Sequence, residues 1–271
     1  MTTTATSPAK NTECGPAVDK SGDRVRRMFG EIAPRYDFLN HLLSGNVDRY
    51  WRWRTTRLVP PDPQGAPLLD LCTGTGDLAL AYDKAAGGRL PIVASDFCRE
   101  MLDLGREKGE KRKLNDHIQW IEADAQDLPF ASNAYQIVTA AFGLRNVADT
   151  DQGLREMTRV CQPGGKVAIL EFTTPRRQPL RSAYGWYFKN VLPRIGQTLM
   201  RNNSAAYEYL PESVGQFYEY EQLTERMEAA GLDDVQYHPM TFGVATLYVG
   251  KKVTGGARAE GGGRRAEPDG D

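Results

Sequence analysis

Histidine is scarce in this chain, with 3 in 271 residues, and the 4 cysteines (Cys14, Cys72, Cys98, Cys161) are scattered with no C-x-x-C pair. That scarcity excludes a zinc knuckle, a His-rich metal centre and a disulfide framework, each of which needs several ligands at short spacing. No apolar run approaches the roughly 18 residues that span a bilayer. Neither sign of charge dominates: 34 Lys+Arg stand against 35 Asp+Glu, which excludes a general nucleic-acid binder. The first twenty residues hold no arginine and no apolar block, so neither a secretory leader nor a transit peptide is expected. What is present is 40% hydrophobic and 25% charged residues, the composition of a reduced, cytoplasmic globular protein.

Both ends read as disordered tails. Residues 1–23 and 254–271 have almost no large apolar side chains and cannot bury enough surface to offset the entropy of ordering. The folded body is expected at 24–253. Within it, Arg24–Ile32, Tyr36–Leu43 and a segment near Arg49–Leu58 have apolar residues at helical spacing, forming an N-terminal helical cap at 24–59. Short apolar strands follow at Pro67–Cys72, Ile92–Ser95, Ile118–Glu122, Ile137–Ala141 and Val167–Phe172. Helical segments at Leu78–Ala86, Glu100–Arg112 and Thr150–Cys161 alternate with them. Continuous apolar strands joined by such crossovers predict an α/β fold with a parallel sheet covered on both faces. A helix at Tyr220–Ala230 and strands at Val235–Pro239 and Val244–Gly250 predict a closing antiparallel hairpin.

Leu68–Leu78 is written as a strand, a glycine-rich turn (Thr73-Gly74-Thr75-Gly76) and the start of a helix. Glycines allow a ligand to approach the main chain, and the helix start offers free N–H groups. Asp96, about twenty residues on, stands at the end of the second strand, where a carboxylate accepts from both ribose hydroxyls. Together these residues indicate a cofactor containing adenosine. The run from Gly74 to Ala79 also fits the dinucleotide form G-x-G-x-x-A, so the glycines alone leave NAD open. Two features favour S-adenosylmethionine. Asp70 and Asp77 place carboxylates beside the cofactor, which suits a sulfonium better than a pyrophosphate. Downstream, Asp124 is placed to accept from an adenine amino group.

Further motifs are narrower. They include Tyr36-Asp37-Phe38-Leu39-Asn40, Trp51-Arg52, Leu128-Pro129-Phe130, Phe142-Gly143-Leu144-Arg145-Asn146-Val147, Pro163-Gly164-Gly165, Leu170-Glu171-Phe172 and Thr241-Phe242-Gly243. With these, from about Arg24 to Lys252, the chain resembles the ubiquinone/menaquinone biosynthesis C-methyltransferase family. The resemblance implies the class I S-adenosylmethionine-dependent methyltransferase fold, Rossmann-like and mostly parallel. It also implies methylation of a demethylmenaquinol to menaquinol, the last step of menaquinone biosynthesis. The alternatives are C-methylation of a benzoquinol in ubiquinone synthesis and, from another class, a cofactor-binding scaffold without activity. The family's cofactor contacts carry over onto Thr75, Asp96, Asp124 and Ala125, beside Asp70, Gly74 and Gly76 of the turn. Departures from the family pattern are Asp48 for His, Leu39 for Met, Tyr135-Gln136 for Phe-Asp, Ala141 for Ser and Gln162 for Lys. Asp48 puts in doubt any role for a histidine in the cap.

Carbon methylation of a quinol is fastest when an adjacent hydroxyl is ionised, and a free phenol has a pKa near 10. Arg145 is the catalytic candidate, because a guanidinium stabilises a phenolate or holds the water that takes its proton. The bland alternative is an arginine tied to a structural carboxylate such as Asp149. Asn146 either orients the same hydroxyl or caps the next helix. The substrate side falls on 176–215, where Leu180, Tyr184, Phe188, Leu192, Ile195 and Leu199 follow helical spacing. Basic residues are interleaved with them, and no Asp or Glu occurs from Arg176 to Tyr207. An isoprenoid quinol substrate, and peripheral contact with lipid at the inner face of the cytoplasmic membrane, are expected there.

Overall fold

The computed structural model describes residues 22–114, 117–191 and 213–254. The expected tails, and residues 192–212 with Leu192, Ile195 and Leu199, lie outside them. The strand runs found in the sequence are strands: β1 (Leu68–Leu71), β2 (Ile92–Asp96), β3 (Ile118–Glu122), β4 (Tyr135–Ala141), β5 (Cys161–Phe172), β6 (Leu232–Met240) and β7 (Ala245–Lys252). They form one seven-stranded sheet in the order β3-β2-β1-β4-β5-β7-β6. The first five are parallel, and β7 runs antiparallel between β5 and β6.

Every residue of β1 is buried, because helices cover both sheet faces. Leu69 and Leu71 point one way, into a core with Val138, Ile169 and the α5 (Thr150–Val160) residues Leu154 and Met157. Leu68, with Ile92, Ile137 and Ala168, points the other way, onto α3 (Asp77–Ala86) through Leu78 and Tyr82. Each fully buried Leu or Ile contributes about 1.5–3 kcal/mol. The two-residue alternation also sends Asp70 to the α3 face, a carboxylate among apolar neighbours.

The cap is α1 (Gly22–Leu43) and α2 (Val47–Leu58). Pro34 suggests a break between two helices, yet α1 runs through it. Packing outweighs the lost backbone bond: Val25 and Met28 meet Phe97, and Ala33 meets Cys98 and Met101 at the start of α4 (Arg99–Lys111). Trp51 of α2 packs against Phe142 and Phe172 and donates from its indole nitrogen to Thr241 Oγ1 at 2.7 Å. Beyond β5 come α6 (Leu180–Trp186) and α7 (Glu221–Ala229).

From β1 the chain winds outward through β2 and β3, then returns to lay β4 on the other side of β1. A crevice therefore opens at the carboxyl ends of β1 and β4, the usual ligand position in such sheets. The turn 72–76 and the segment 142–146 meet there.

Candidate functional site

The turn after β1 is held by glycines for two different reasons. Gly76 has φ +81°, and a Cβ on it would lie 2.4 Å from the Trp120 ring. Gly143 allows the strand-end segments to touch, since its Cβ would lie 2.2 Å from that of Cys72. Gly76 thus serves packing beneath the turn. Gly74 faces the crevice and donates its N–H to Asp96 Oδ2 at 2.8 Å. The other Asp96 oxygen accepts from Cys98 N at 2.9 Å. Burial pushes the Asp96 carboxyl up to about 6 against those N–H bonds. Asp70 accepts from Thr73 Oγ1 at 2.6 Å, and burial pushes it up to about 7.

A cavity of about 190 Å³ occupies the crevice and brings together Gly74, Asp96, Asp124, Ala125 and Asn146 of the expected site. Its apolar wall includes Phe29, Phe97, Met101 and Val147. Asp124 is held by its own loop, accepting from Gln126 N at 2.9 Å and Gln126 Nε2 at 3.1 Å. Two further wall atoms, Ser95 Oγ and Asn146 Oδ1, are buried with no hydrogen-bond partner among the described residues. Unsatisfied polar atoms of this kind are costly unless a ligand answers them. Two carboxylates, unsatisfied oxygens and an apolar slot fit a ribose, an adenine and a cationic tail. The residues present therefore fit S-adenosylmethionine.

Asp70 and Thr75 line a neighbouring recess, which shares Tyr36, Cys72 and Phe142 with the cavity. Thr75 is turned toward the cap: its hydroxyl donates to Asp37 and accepts from Lys108 Nζ at 2.8 Å. Asp77, expected beside the cofactor, lines the same recess, where Lys108 engages it at 2.9 Å, with Arg52 at 3.8 Å. His41 Nδ1 meets Asp48 Oδ2 at 2.8 Å, so a cap histidine does have a polar partner, and that partner is the departure Asp48. Ligand atoms of His41, Asp48 and Asp77 come within 4.8 Å of one another, but Arg52 and Lys108 already occupy the carboxylates. This is an ion-pair cluster, with cations where a metal would have to sit.

Arg145 is buried behind the cavity wall. One Nη1 bond goes to the Phe142 carbonyl and another to Glu171 Oε2 at 2.9 Å. Its carboxylate partner is Glu171, at the end of β5; Asp149 instead caps α5, accepting from Gln152 N. Sequence reasoning missed Glu171 as that partner, and missed Phe29 and Tyr36 as cavity lining. Tyr36 and Glu171 each carried a signal, through the Tyr36–Asn40 and Leu170-Glu171-Phe172 motifs, whereas Phe29 carried none.

A model of the ubiE/COQ5 methyltransferase family matches residues 17–252. The chain is 42% identical over 233 residues to a ubiquinone/menaquinone biosynthesis C-methyltransferase UbiE of Geotalea daltonii, covering 86% of this chain and 98% of that one. It is 44% identical over 239 residues to a demethylmenaquinone methyltransferase of Deinococcus radiodurans, covering 88% and 97%. Among solved structures, an S-adenosylmethionine-dependent methyltransferase of Thermotoga maritima, described as a possible histamine N-methyltransferase, superposes with a TM-score of 0.60. Sequence identity there is 14%, over 84% of this chain and 99% of that one, a likeness of fold.

Proposed function

The chain belongs to the ubiE/COQ5 methyltransferase family and is an S-adenosylmethionine-dependent C-methyltransferase, and from that premise we propose that it converts a demethylmenaquinol to menaquinol. The observation that carries this reading is the cavity joining Asp96, Asp124 and Asn146 one wall away from a buried arginine. The name of the Deinococcus radiodurans relative supports the naphthoquinol, while that of the Geotalea daltonii relative keeps a benzoquinol as the second substrate to test.

In this reading Asp96 accepts from the ribose hydroxyls and Asp124, beside Ala125, from the adenine amino group. Gly74 keeps the main chain close, and Asp70 and Thr75 border the recess at the cationic end. Bound S-adenosylmethionine supplies an electrophilic methyl group. The chain's own task is to favour the quinolate, which pushes electron density onto the neighbouring ring carbon. Arg145 stabilises the phenolate oxygen, since a guanidinium keeps its charge at any working pH. Before it ionises, the same hydroxyl donates to the unsatisfied Asn146 Oδ1, which orients it. When the ring carbon has gained the methyl, its proton leaves to water and aromaticity returns.

Peripheral lipid contact belongs to the same proposal, through residues 176–215 and the outer face of α2. Among the described residues no helix is long and apolar enough to cross a membrane. Yet Tyr50 and Trp53 are about half exposed on α2, beside exposed Arg49, Arg54 and Arg57. Trp186 on α6 is 61% exposed. Arg176 contributes less charge than its sequence context implies, because it pairs with Glu221 and stacks on Tyr220. Aromatic rings interleaved with arginine suit an anionic headgroup boundary.

The test is incubation with labelled S-adenosylmethionine and a demethylated naphthoquinol, or a demethylated benzoquinol in parallel. Label on the naphthoquinol ring carbon is expected; label on neither substrate refutes the proposal. Arg145→Ala is expected to lower turnover by about 10³-fold with donor affinity unchanged. Turnover at the unaltered level removes Arg145 from the mechanism. Co-sedimentation with vesicles containing anionic phospholipid, lost in Arg54→Glu/Arg57→Glu, checks the lipid contact.

A further inference from the structure

Glu171 is 1% exposed at the carboxyl end of β5, the edge of the sheet where the crevice opens. Its two oxygens are spent mainly on one residue: Oε1 accepts from Arg145 N at 3.3 Å, and Oε2 from Arg145 Nη1 at 2.9 Å. Oε2 also accepts from Phe172 N at 3.3 Å, which fixes the carboxylate itself. The guanidinium also donates to the Phe142 carbonyl and lies over the Phe172 ring, 5.4 Å from its centroid, and Phe142 holds the left-handed backbone, φ +57°. A bulky residue rarely adopts that conformation, and it costs about 1–3 kcal/mol. Strain and a buried charge pair thus converge on the orientation of one side chain. Arg145 Nε is buried and makes no hydrogen bond among the described residues.

Stability explains this arrangement poorly. A buried ion pair loses about as much in desolvation as it gains in attraction, and apolar side chains of similar volume often do as well or better. We infer that Glu171 is a positioning residue for methyl transfer, holding the Arg145 guanidinium so that its remaining N–H groups meet the quinolate oxygen. This rests on the role proposed for Arg145. Glu171 also sets the strength of the field, because its negative charge offsets part of the guanidinium's pull on the phenolate.

Two substitutions separate position from charge. Glu171→Gln keeps the volume, removes the charge and places an N–H donor against Arg145. It is expected to lower kcat by about 10²-fold, the size of effect a misplaced catalytic group produces. Donor affinity by calorimetry stays at the unaltered level. The acid limb of the kcat–pH profile moves to lower pH, because the uncompensated guanidinium eases quinol ionisation. Glu171→Asp keeps the charge but falls one methylene short, so kcat drops while the acid limb stays in place. Full kcat in both variants overturns the inference. So does a loss of kcat in Glu171→Gln with the acid limb unmoved and donor affinity lost alongside, the signature of a structural role. If Glu171→Gln does not fold, Glu171→Asp decides by its turnover alone. Arg145→Ala measured in parallel separates the two readings. Full activity there sinks the role of Arg145 itself, whereas an inactive Arg145→Ala beside a fully active Glu171→Gln sinks only the positioning role.

Discussion

Three aspartates at the crevice and three at the seam under the cap have the same chemistry in opposite surroundings. Asp37, Asp48 and Asp77 at the seam all meet cations: Lys108 bridges Asp37 and Asp77, and Arg52 meets Asp48 and Asp77. Burial alone raises Asp48 and Asp77, but the neighbouring cations bring both below their usual value. Asp70, Asp96 and Asp124 at the crevice form no ion pair among the described residues. Two of them are pushed up by burial instead, Asp70 to about 7 and Asp96 to about 6. The paired carboxylates latch the cap to the sheet. The unpaired ones are held at a cost to the protein, which a polar, cationic ligand relieves.

Exchanging the two surroundings sharpens the comparison. Asp96→Ala is expected to weaken S-adenosylmethionine binding by about 100-fold or more in calorimetry, since two hydrogen bonds to a charged acceptor are lost. Affinity within threefold of the unaltered protein would break the division between the groups.

Asp70→Asn tests the cost directly. A carboxyl whose folded pKa lies above its unfolded value binds more protons when folded, so its contribution to stability falls as pH rises from about 4 to about 7. The variant removes that fall. It is expected to gain on the order of 2 kcal/mol over the unaltered protein at pH 8 and nothing below pH 4, measured by denaturant unfolding without ligand. A constant difference across this window would contradict the burial of the charge.

The smallest effect is expected at the seam. Lys108→Ala leaves Asp37 and Asp77 with less compensation and costs about 1–2 kcal/mol of stability, because these pairs are only partly buried. Salt added to the unaltered protein reproduces part of that loss.

The legible part of the fold is the part written in local periodicity. The apolar runs Leu68–Leu71, Ile92–Ser95 and Val167–Phe172 are buried on both faces, and a parallel sheet follows from that. The segments Arg24–Ile32 and Tyr36–Leu43 join into one helix, α1, because contacts with α4 hold it through Pro34, and local periodicity does not report such contacts. The placement of Asp96 and Asp124 in the crevice was legible, because Asp96 ends the second strand about twenty residues after the glycine turn and Asp124 follows the third. At Asp77 the hidden part is its partner: it borders the recess beside the turn, but Lys108, 31 residues further on, holds its carboxylate.

Composition, strand runs and the spacing of Gly74, Gly76 and Asp96 by themselves determined the fold class and a cofactor containing adenosine, because both are written in short sequence patterns. Tertiary structure alone decided which charges are answered and which are left open. Arg145 finds Glu171 across 26 residues, Asp77 finds Arg52 and Lys108, and Asp96 finds only backbone N–H groups and a cavity. Partnership of this sort is set by which strand lies beside which, and burial then multiplies its energetic weight.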